Sequence, residues 1–307
     1  MAVRWEVDDR PATPYTRAYV KGMWLARDKK AFEGARNTLK TARKLQRSGD
    51  APPTRLTRLA RRVREEQLAG MTVWTTRPRG RKPAARVIYV HGGGYVHPLT
   101  KDYWRLVRAL SAAPAEVVLP AYPVAPDATV DDVLPRLVQL HGQVTHRDGL
   151  PTVLMGDSAG GALVLAMAAR IRDLGGRPPA RVVMLSPWLD ATLSEEAVEG
   201  LESSDPMLAE SGLRAAGRWY AGRHRPSEPM VSPVHESLEG LPPVDVFIGD
   251  ADILRPAVDD LADRARAQGA DLHVHEVSAM FHVWMTRAIP EARRTRRQLA
   301  ELVAAFA

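Results

Sequence analysis

Two glycine-rich motifs carry the reactive chemistry of this chain: His91-Gly92-Gly93-Gly94-Tyr95 and, about 65 residues later, Gly156-Asp157-Ser158-Ala159-Gly160. The second has the GxSxG pattern of a nucleophile elbow, a sharp strand-to-helix turn that holds a serine hydroxyl where a substrate carbonyl can reach it. The first supplies backbone N–H groups, and its glycines let the main chain approach a developing oxyanion because no Cβ intervenes. Together the two imply acyl transfer. A bare GxSxG is a weak pattern, so its surroundings decide. Thr152-Val153-Leu154-Met155, set off by Asp148-Gly149 and Pro151, reads as a buried strand ahead of Ser158. Gly161 to Leu174, rich in alanine and leucine and stopped by Gly175-Gly176, reads as the helix behind it. Arg86 to Val90 is a strand candidate running straight into His91.

A serine nucleophile needs a base and a group that orients the base. On a strand–elbow–helix scaffold these follow the serine in the order acid, histidine, each at the end of a strand. Five of the nine histidines lie beyond Ser158: His224, His235, His273, His275 and His282. His273 and His275 alternate within Leu272 to Val277 and so share one face of a strand, where a solvent-facing position is the simpler reading. His282 follows that strand after the short connection Ser278 to Phe281 and precedes an apolar stretch, the place of a loop-borne base. The acid belongs at the end of the preceding strand, where Val244 to Gly249 leads into Asp250 and Asp252, and position alone leaves both open.

The sequence resembles the hormone-sensitive lipase family of α/β-hydrolases. The match runs through HGGGY at 91–95, GDSAGG at 156–161, Ser186-Pro187-Trp188, Gly240-Leu241-Pro242-Pro243, Asp252-Ile253-Leu254 and Met280-Phe281-His282, over about residues 70–290. The resemblance implies an α/β-hydrolase fold, a mostly parallel central sheet flanked by helices with a helical lid. It also implies Ser158 as nucleophile, His282 as general base and Asp252, ahead of Asp250, as the acid. By the same resemblance the oxyanion donors are the N–H groups of Gly93, Gly94 and Ala159, while His91 and Gly92 order the glycine loop without moving protons. Tyr122 and Ala125-Pro126 look like the family's Tyr-x-x-Ala-Pro segment. Ala279 departs from the pattern, standing where a glycine commonly precedes the histidine.

The chemistry expected of such a set needs no metal and no cofactor. Neutral His282 accepts the Ser158 proton, the serine attacks the acyl carbon, and water later releases the acyl-enzyme. Because the base must be neutral, activity is expected to rise through roughly pH 6 to 7, near the ordinary histidine pKa.

At 307 residues the chain is long enough to bury a large core, and a catalytic domain is expected over 71–307. It has no cysteine, which excludes disulfides, thiolate metal sites and a cysteine nucleophile. Trp5, Asp8, Asp9 and Pro11 do not resemble a signal peptide, and no apolar run is long enough to span a bilayer, so a cytoplasmic protein is the expectation. Residues 1–86 hold 22 Lys and Arg against 8 Asp and Glu, a net of +14; the remainder holds 21 against 28, a net of −7.

Residues 1–70 read as an N-terminal helical lid segment. Phe32, Ala35, Leu39 and Ala42 recur at helical spacing, as do Leu56, Leu59, Ala60 and Val63, and Tyr15, Tyr19 and Met23 share a face. The expected arrangement packs this apolar stripe on the core and leaves the arginines in solvent. Membrane association through the basic segment is the less favoured reading, and no nucleic-acid-binding signature occurs. A second lid insertion is expected at about 190–225, with a helix from Pro206 to Tyr220. Arg77 to Pro83 reads as a hairpin turn between Met71–Thr76 and Arg86–Val90. An apolar cleft beneath such lids suits a small-molecule ester with a modest acyl group. Amide cleavage by an N-deacetylase with the same machinery, and ligand binding without catalysis, remain as alternatives.

Overall fold

The structure, a computed structural model, describes residues 3–193, 198 and 200–306. Among these, nine strands form one sheet: β1 (Arg4–Asp8), β2 (Arg62–Leu68), β3 (Met71–Arg77), β4 (Ala85–Val90), β5 (Ala115–Ala121), β6 (Thr152–Asp157), β7 (Arg181–Leu185), β8 (Val244–Gly249) and β9 (Leu272–Val277). Their spatial order is β1-β9-β8-β7-β6-β4-β5-β3-β2. Every pairing from β1 across to β5 is parallel, and β3 joins β5, and β2 joins β3, antiparallel. All six residues of β4, β6 and β8 are buried. A parallel strand covered by helices on both faces is apolar over most of its length, which is why these segments read as near-continuous apolar runs, with their buried charges Arg86, Asp157 and Asp245 near the strand ends.

The helices are α1 (Pro14–Ala26), α2 (Gly34–Ser48), α3 (Arg55–Ala60), α4 (Tyr103–Leu110), α5 (Val130–Thr145), α6 (Ala159–Asp173), α7 (Glu210–Ala221), α8 (Pro256–Gln268) and α9 (Pro290–Ala304). The core on one face of the sheet takes side chains from α5, α6 and α8, and the core on the other takes them from α4 and α9. Helix α6 ends where its glycines require: Gly175 has φ +63° and the Gly176 N–H returns to the Ile171 carbonyl at 2.8 Å. No described helix is long and apolar enough to cross a membrane.

Four local expectations are corrected. The segment 1–70 is not helical throughout, because β1 and β2 lie within it and extend the sheet at both edges. Arg77 to Pro83 is not a hairpin turn, since β5 lies between β3 and β4; the hairpin is β2–β3, closed by Ala69 (φ +50°) and Gly70 (φ +72°). Leu56 and Leu59 do not face the core: they are 59% and 75% exposed, while Thr57 turns inward and Val63 belongs to β2. Helix α3 is only six residues long, too short for a period-3.6 pattern to fix its face, and its inward side is set by hydroxyl bonds from Thr54 and Arg108 to Thr57. The helix anticipated from Pro206 begins instead at Glu210, because the Asp205 carboxylate takes the N–H groups of Met207 (2.7 Å) and Leu208 (3.0 Å) and holds them in a turn. Part of the second insertion, 194–197 and 199, lies outside the described residues.

Candidate active site

The residues singled out for chemistry converge at the carboxyl ends of neighbouring parallel strands, where open α/β sheets place their clefts. His91 follows β4, Ser158 follows β6, Asp252 lies three residues beyond β8, and His282 lies five beyond β9. Ser158 has φ +51° and ψ −122°, a conformation L-residues adopt only under constraint. Its N–H donates to the Leu185 carbonyl at 2.9 Å, and its own carbonyl accepts from Gly161 at 2.9 Å and Trp188 at 3.0 Å. The elbow rests directly on β4. A Cβ on Gly160 would stand 2.0 Å from the Val90 carbonyl oxygen, so no other residue fits there without displacing the backbone.

His282 Nδ1 lies 2.9 Å from Asp252 Oδ2, with the imidazole 3% exposed and the carboxylate fully buried. The second Asp252 oxygen accepts the Leu254 N–H at 3.0 Å. Asp250 sits at the turn after β8, only partly buried, so Asp252 is the acid that meets the histidine. The histidine loop is held under constraint: Ala279 and Val283 have φ +57° and +51°, and the Val283 N–H donates to Ser186 Oγ at 3.0 Å. Ala279 thus occupies the left-handed conformation for which the commoner glycine is suited.

Burial disfavours the imidazolium of His282, but the charge and hydrogen bond of Asp252, aided by Asp205 and Asp157, outweigh it and raise the histidine above its ordinary pKa. A group whose pKa is raised stays protonated to higher pH, and only the neutral imidazole can accept a proton. The acid limb of kcat/KM is therefore expected above pH 6.5, later than the histidine's ordinary value suggests; a limb centred below pH 6 would contradict the pairing.

His91 is fully buried, and burial pushes its pKa down to about 4. Its Nδ1 lies 2.8 Å from the Gly92 carbonyl, so that nitrogen carries the proton, and its ring stacks on Tyr122 at 4.3 Å. The Tyr122 hydroxyl donates to the His91 carbonyl at 2.7 Å. His91 is thereby fixed beside the glycine loop by its bond to the Gly92 carbonyl and its stack on Tyr122. Gly93 (φ +107°) and Gly94 (φ +61°) line the same cavity as Ser158 and His282. Ala159 opens α6, whose first N–H groups have no acceptor within the helix.

Three supports escaped the sequence. Asp157 Oδ1 accepts from the Tyr89 hydroxyl (2.8 Å) and the Gly92 N–H (3.0 Å), and Oδ2 accepts from the Tyr103 hydroxyl (2.9 Å), which itself lies 3.0 Å from the Gly92 nitrogen. Burial, opposed by these bonds, pushes Asp157 up to about 6. Asp157 stood inside a recognised motif, but nothing in the spacing marked Tyr89 or Tyr103 as its donors. The third is Asp205, whose Oδ2 accepts the Ile253 N–H at 3.2 Å and so ties the insertion to the loop of Asp252. Burial and the neighbouring Asp252 charge push Asp205 up to about 6.

Tyr103 bridges the elbow and the glycine loop. Tyr103→Phe is expected to lower kcat by roughly tenfold with little change in KM, the cost of about 1.5 kcal/mol for a lost bond to a carboxylate felt at the loop. A fall in KM alone, or no change in either constant, would deny it that positioning role.

The cavity holds about 150 Å³ and is walled by Phe32 from the N-terminal segment and Met207, Leu208 and Leu213 from the insertion. These two segments pack closely on each other, and a Cβ on Gly212 would stand 1.9 Å from the Phe32 carbonyl oxygen.

The alpha/beta hydrolase fold family matches residues 87–286. An acetyl-hydrolase of Streptomyces hygroscopicus is 30% identical over 224 residues, covering 70% of this chain and 73% of that protein. Esterase LipI of Mycobacterium tuberculosis is 32% identical over 231 residues, covering 70% and 71%. A crystal structure of an esterase from the bacterial hormone-sensitive lipase family is 25% identical with a TM-score of 0.83, covering 96% of this chain and 99% of that one. The chain belongs to the alpha/beta-hydrolase family, in its hormone-sensitive lipase group, and is a carboxylic-ester hydrolase of the carboxylesterase/lipase type.

Proposed function

We propose that the chain hydrolyses short-chain, acetyl-like esters through Ser158, His282 and Asp252. The observation that carries this reading is that His282, buried and bonded to Asp252, lines the same small cavity as Ser158 and the glycine loop. Ser158 Oγ attacks the acyl carbon as its proton passes to His282 Nε2, the nitrogen left free by the Asp252 bond. The N–H groups of Gly93, Gly94 and Ala159 receive the oxyanion, and the alcohol leaves with the proton from His282. Water then attacks the acyl-enzyme, His282 takes its proton and returns it to Ser158 Oγ, and the carboxylic acid departs. Asp252 keeps Nδ1 protonated throughout and stabilises the imidazolium that forms at each step.

The acyl preference follows from space. A cavity near 150 Å³ holds a molecule of about benzene size, which matches an acyl group of a few carbons. The N-terminal segment and the 190–225 insertion act as two parts of a lid, contributing Phe32, Met207 and Leu208 to that boundary. Across p-nitrophenyl esters from acetate to palmitate, kcat/KM is expected to peak between acetate and hexanoate; a maximum at palmitate would overturn the enclosed cleft.

A further inference from the structure

A second cluster of reactive side chains lies away from the cleft. Strand β1 pairs with β9 so that Glu6 stands opposite His275 and Arg4 opposite His273, which puts Glu6, His273 and His275 on one face of the sheet. One nitrogen from each imidazole and one oxygen of Glu6 all lie within 4.8 Å of one another. His273 Nε2 is 3.2 Å from Glu6 Oε1, yet that buried nitrogen has no hydrogen-bond partner among the described residues. The two donors approach without the alignment of a hydrogen bond. Ligands around a tetrahedral zinc ion, with bonds near 2.0–2.1 Å, stand about 3.3–3.4 Å apart, close to the Glu6–His273 separation. The rings of His273 and His275 lie 3.9 Å apart at 41°.

A carboxylate backs the two imidazoles. Asp245 on β8 faces His273 in register, and its Oδ1 lies 3.3 Å from His275 Nε2 and 3.9 Å from His273 Nδ1. A carboxylate behind metal-bound histidines fixes their rings and raises their basicity. Asp245 Oδ2 pairs with Arg181 at 3.0 Å, and Arg4 stands opposite His273 on the same face, so two guanidiniums balance the two carboxylates and the case for a cation rests on the donor set and its spacing. Glu6 is 68% exposed at its side chain, and the imidazoles are 25% and 20% exposed, which leaves a way in and room for a water as a fourth ligand.

We propose that Glu6, His273 and His275 form a divalent-cation site whose mixed imidazole and carboxylate donors fit Zn²⁺. Its role is structural. His273 lies near the start of β9 whereas the candidate base lies beyond that strand's far end, so the ion sits off the reaction path. It clamps the N-terminal edge strand to a strand near the other end of the chain. The ion and the clamp are independent of the esterase reading.

The test is titration of the chelator-stripped chain with ZnCl₂ and with CoCl₂ at pH 7.5. One equivalent of Zn²⁺ is expected to bind and to raise the melting temperature, and Co²⁺ is expected to give the visible absorption of a low-symmetry, four- or five-coordinate ion. Glu6→Gln and His273→Ala are each expected to weaken binding at least about tenfold. Glu6→Gln alters only an exposed side chain, so it decides the matter if His273→Ala fails to fold, and its metal-free hydrolysis of p-nitrophenyl acetate is expected to equal that of the parent. No saturable binding, or equal affinity in Glu6→Gln and the parent, would overturn the site.

Discussion

Ser158→Ala is expected to lower kcat for a p-nitrophenyl ester by at least about a thousandfold while leaving the melting temperature within a few degrees of the parent. On the proposed mechanism the hydroxyl is the one group that forms a bond to substrate, so its loss leaves the proposed oxyanion donors and the cavity to sustain only residual catalysis over water. Stability is little affected because the removed Oγ faces the cavity and the elbow is held by backbone bonds from Ser158 to Leu185, Gly161 and Trp188, all of which alanine keeps. A variant retaining a tenth of the parent rate would point to another nucleophile.

Asp252→Asn is expected to lower kcat by about 10⁴-fold, as neutralising the acid of such a triad does elsewhere. The carboxylate accepts the His282 Nδ1 proton and thereby leaves Nε2 as the acceptor facing the cavity. An amide in its place can donate to Nδ1 instead, which moves the ring proton to Nε2 and blocks proton transfer from Ser158. The substitution is nearly isosteric, and the asparagine oxygen can still accept the Leu254 N–H, so the fold is expected to persist. It also removes the main influence raising the histidine pKa against burial, so the acid limb of the residual rate is expected to move to lower pH. A residual rate with the parent's limb would show that Asp252 is not the partner of the titrating base.

Much of the scaffold was legible because it rests on strong local signals. β4, β6, β8 and β9 appear as apolar or alternating runs bounded by glycine, proline and aspartate, and their bounds in the structure lie within about two residues of those read from the sequence. The choice of Asp252 as the partner of His282 was legible only through the resemblance to the hormone-sensitive lipase family, since Asp250 has the same side chain two residues away. What the sequence hid is what depends on distant partners. Strand β2 is charged along both faces, with Arg62, Arg64, Glu65 and Glu66, so its strand character comes from pairing with β3 rather than from apolar periodicity. Leu56 and Leu59 were misread because a six-residue helix is oriented by its hydroxyl bonds to α4. Tyr103 and Asp205 gain their roles from carboxylate contacts across 54 and 48 residues of chain, which no local pattern encodes.

The most direct test of the central claim is covalent labelling by a fluorophosphonate probe, mapped by peptide mass spectrometry. The account predicts modification of Ser158 in the parent and at least about hundredfold slower labelling in His282→Ala, because the probe reads the serine only when its base is in place. Labelling of a different serine, or a folded parent left unmodified, would contradict it.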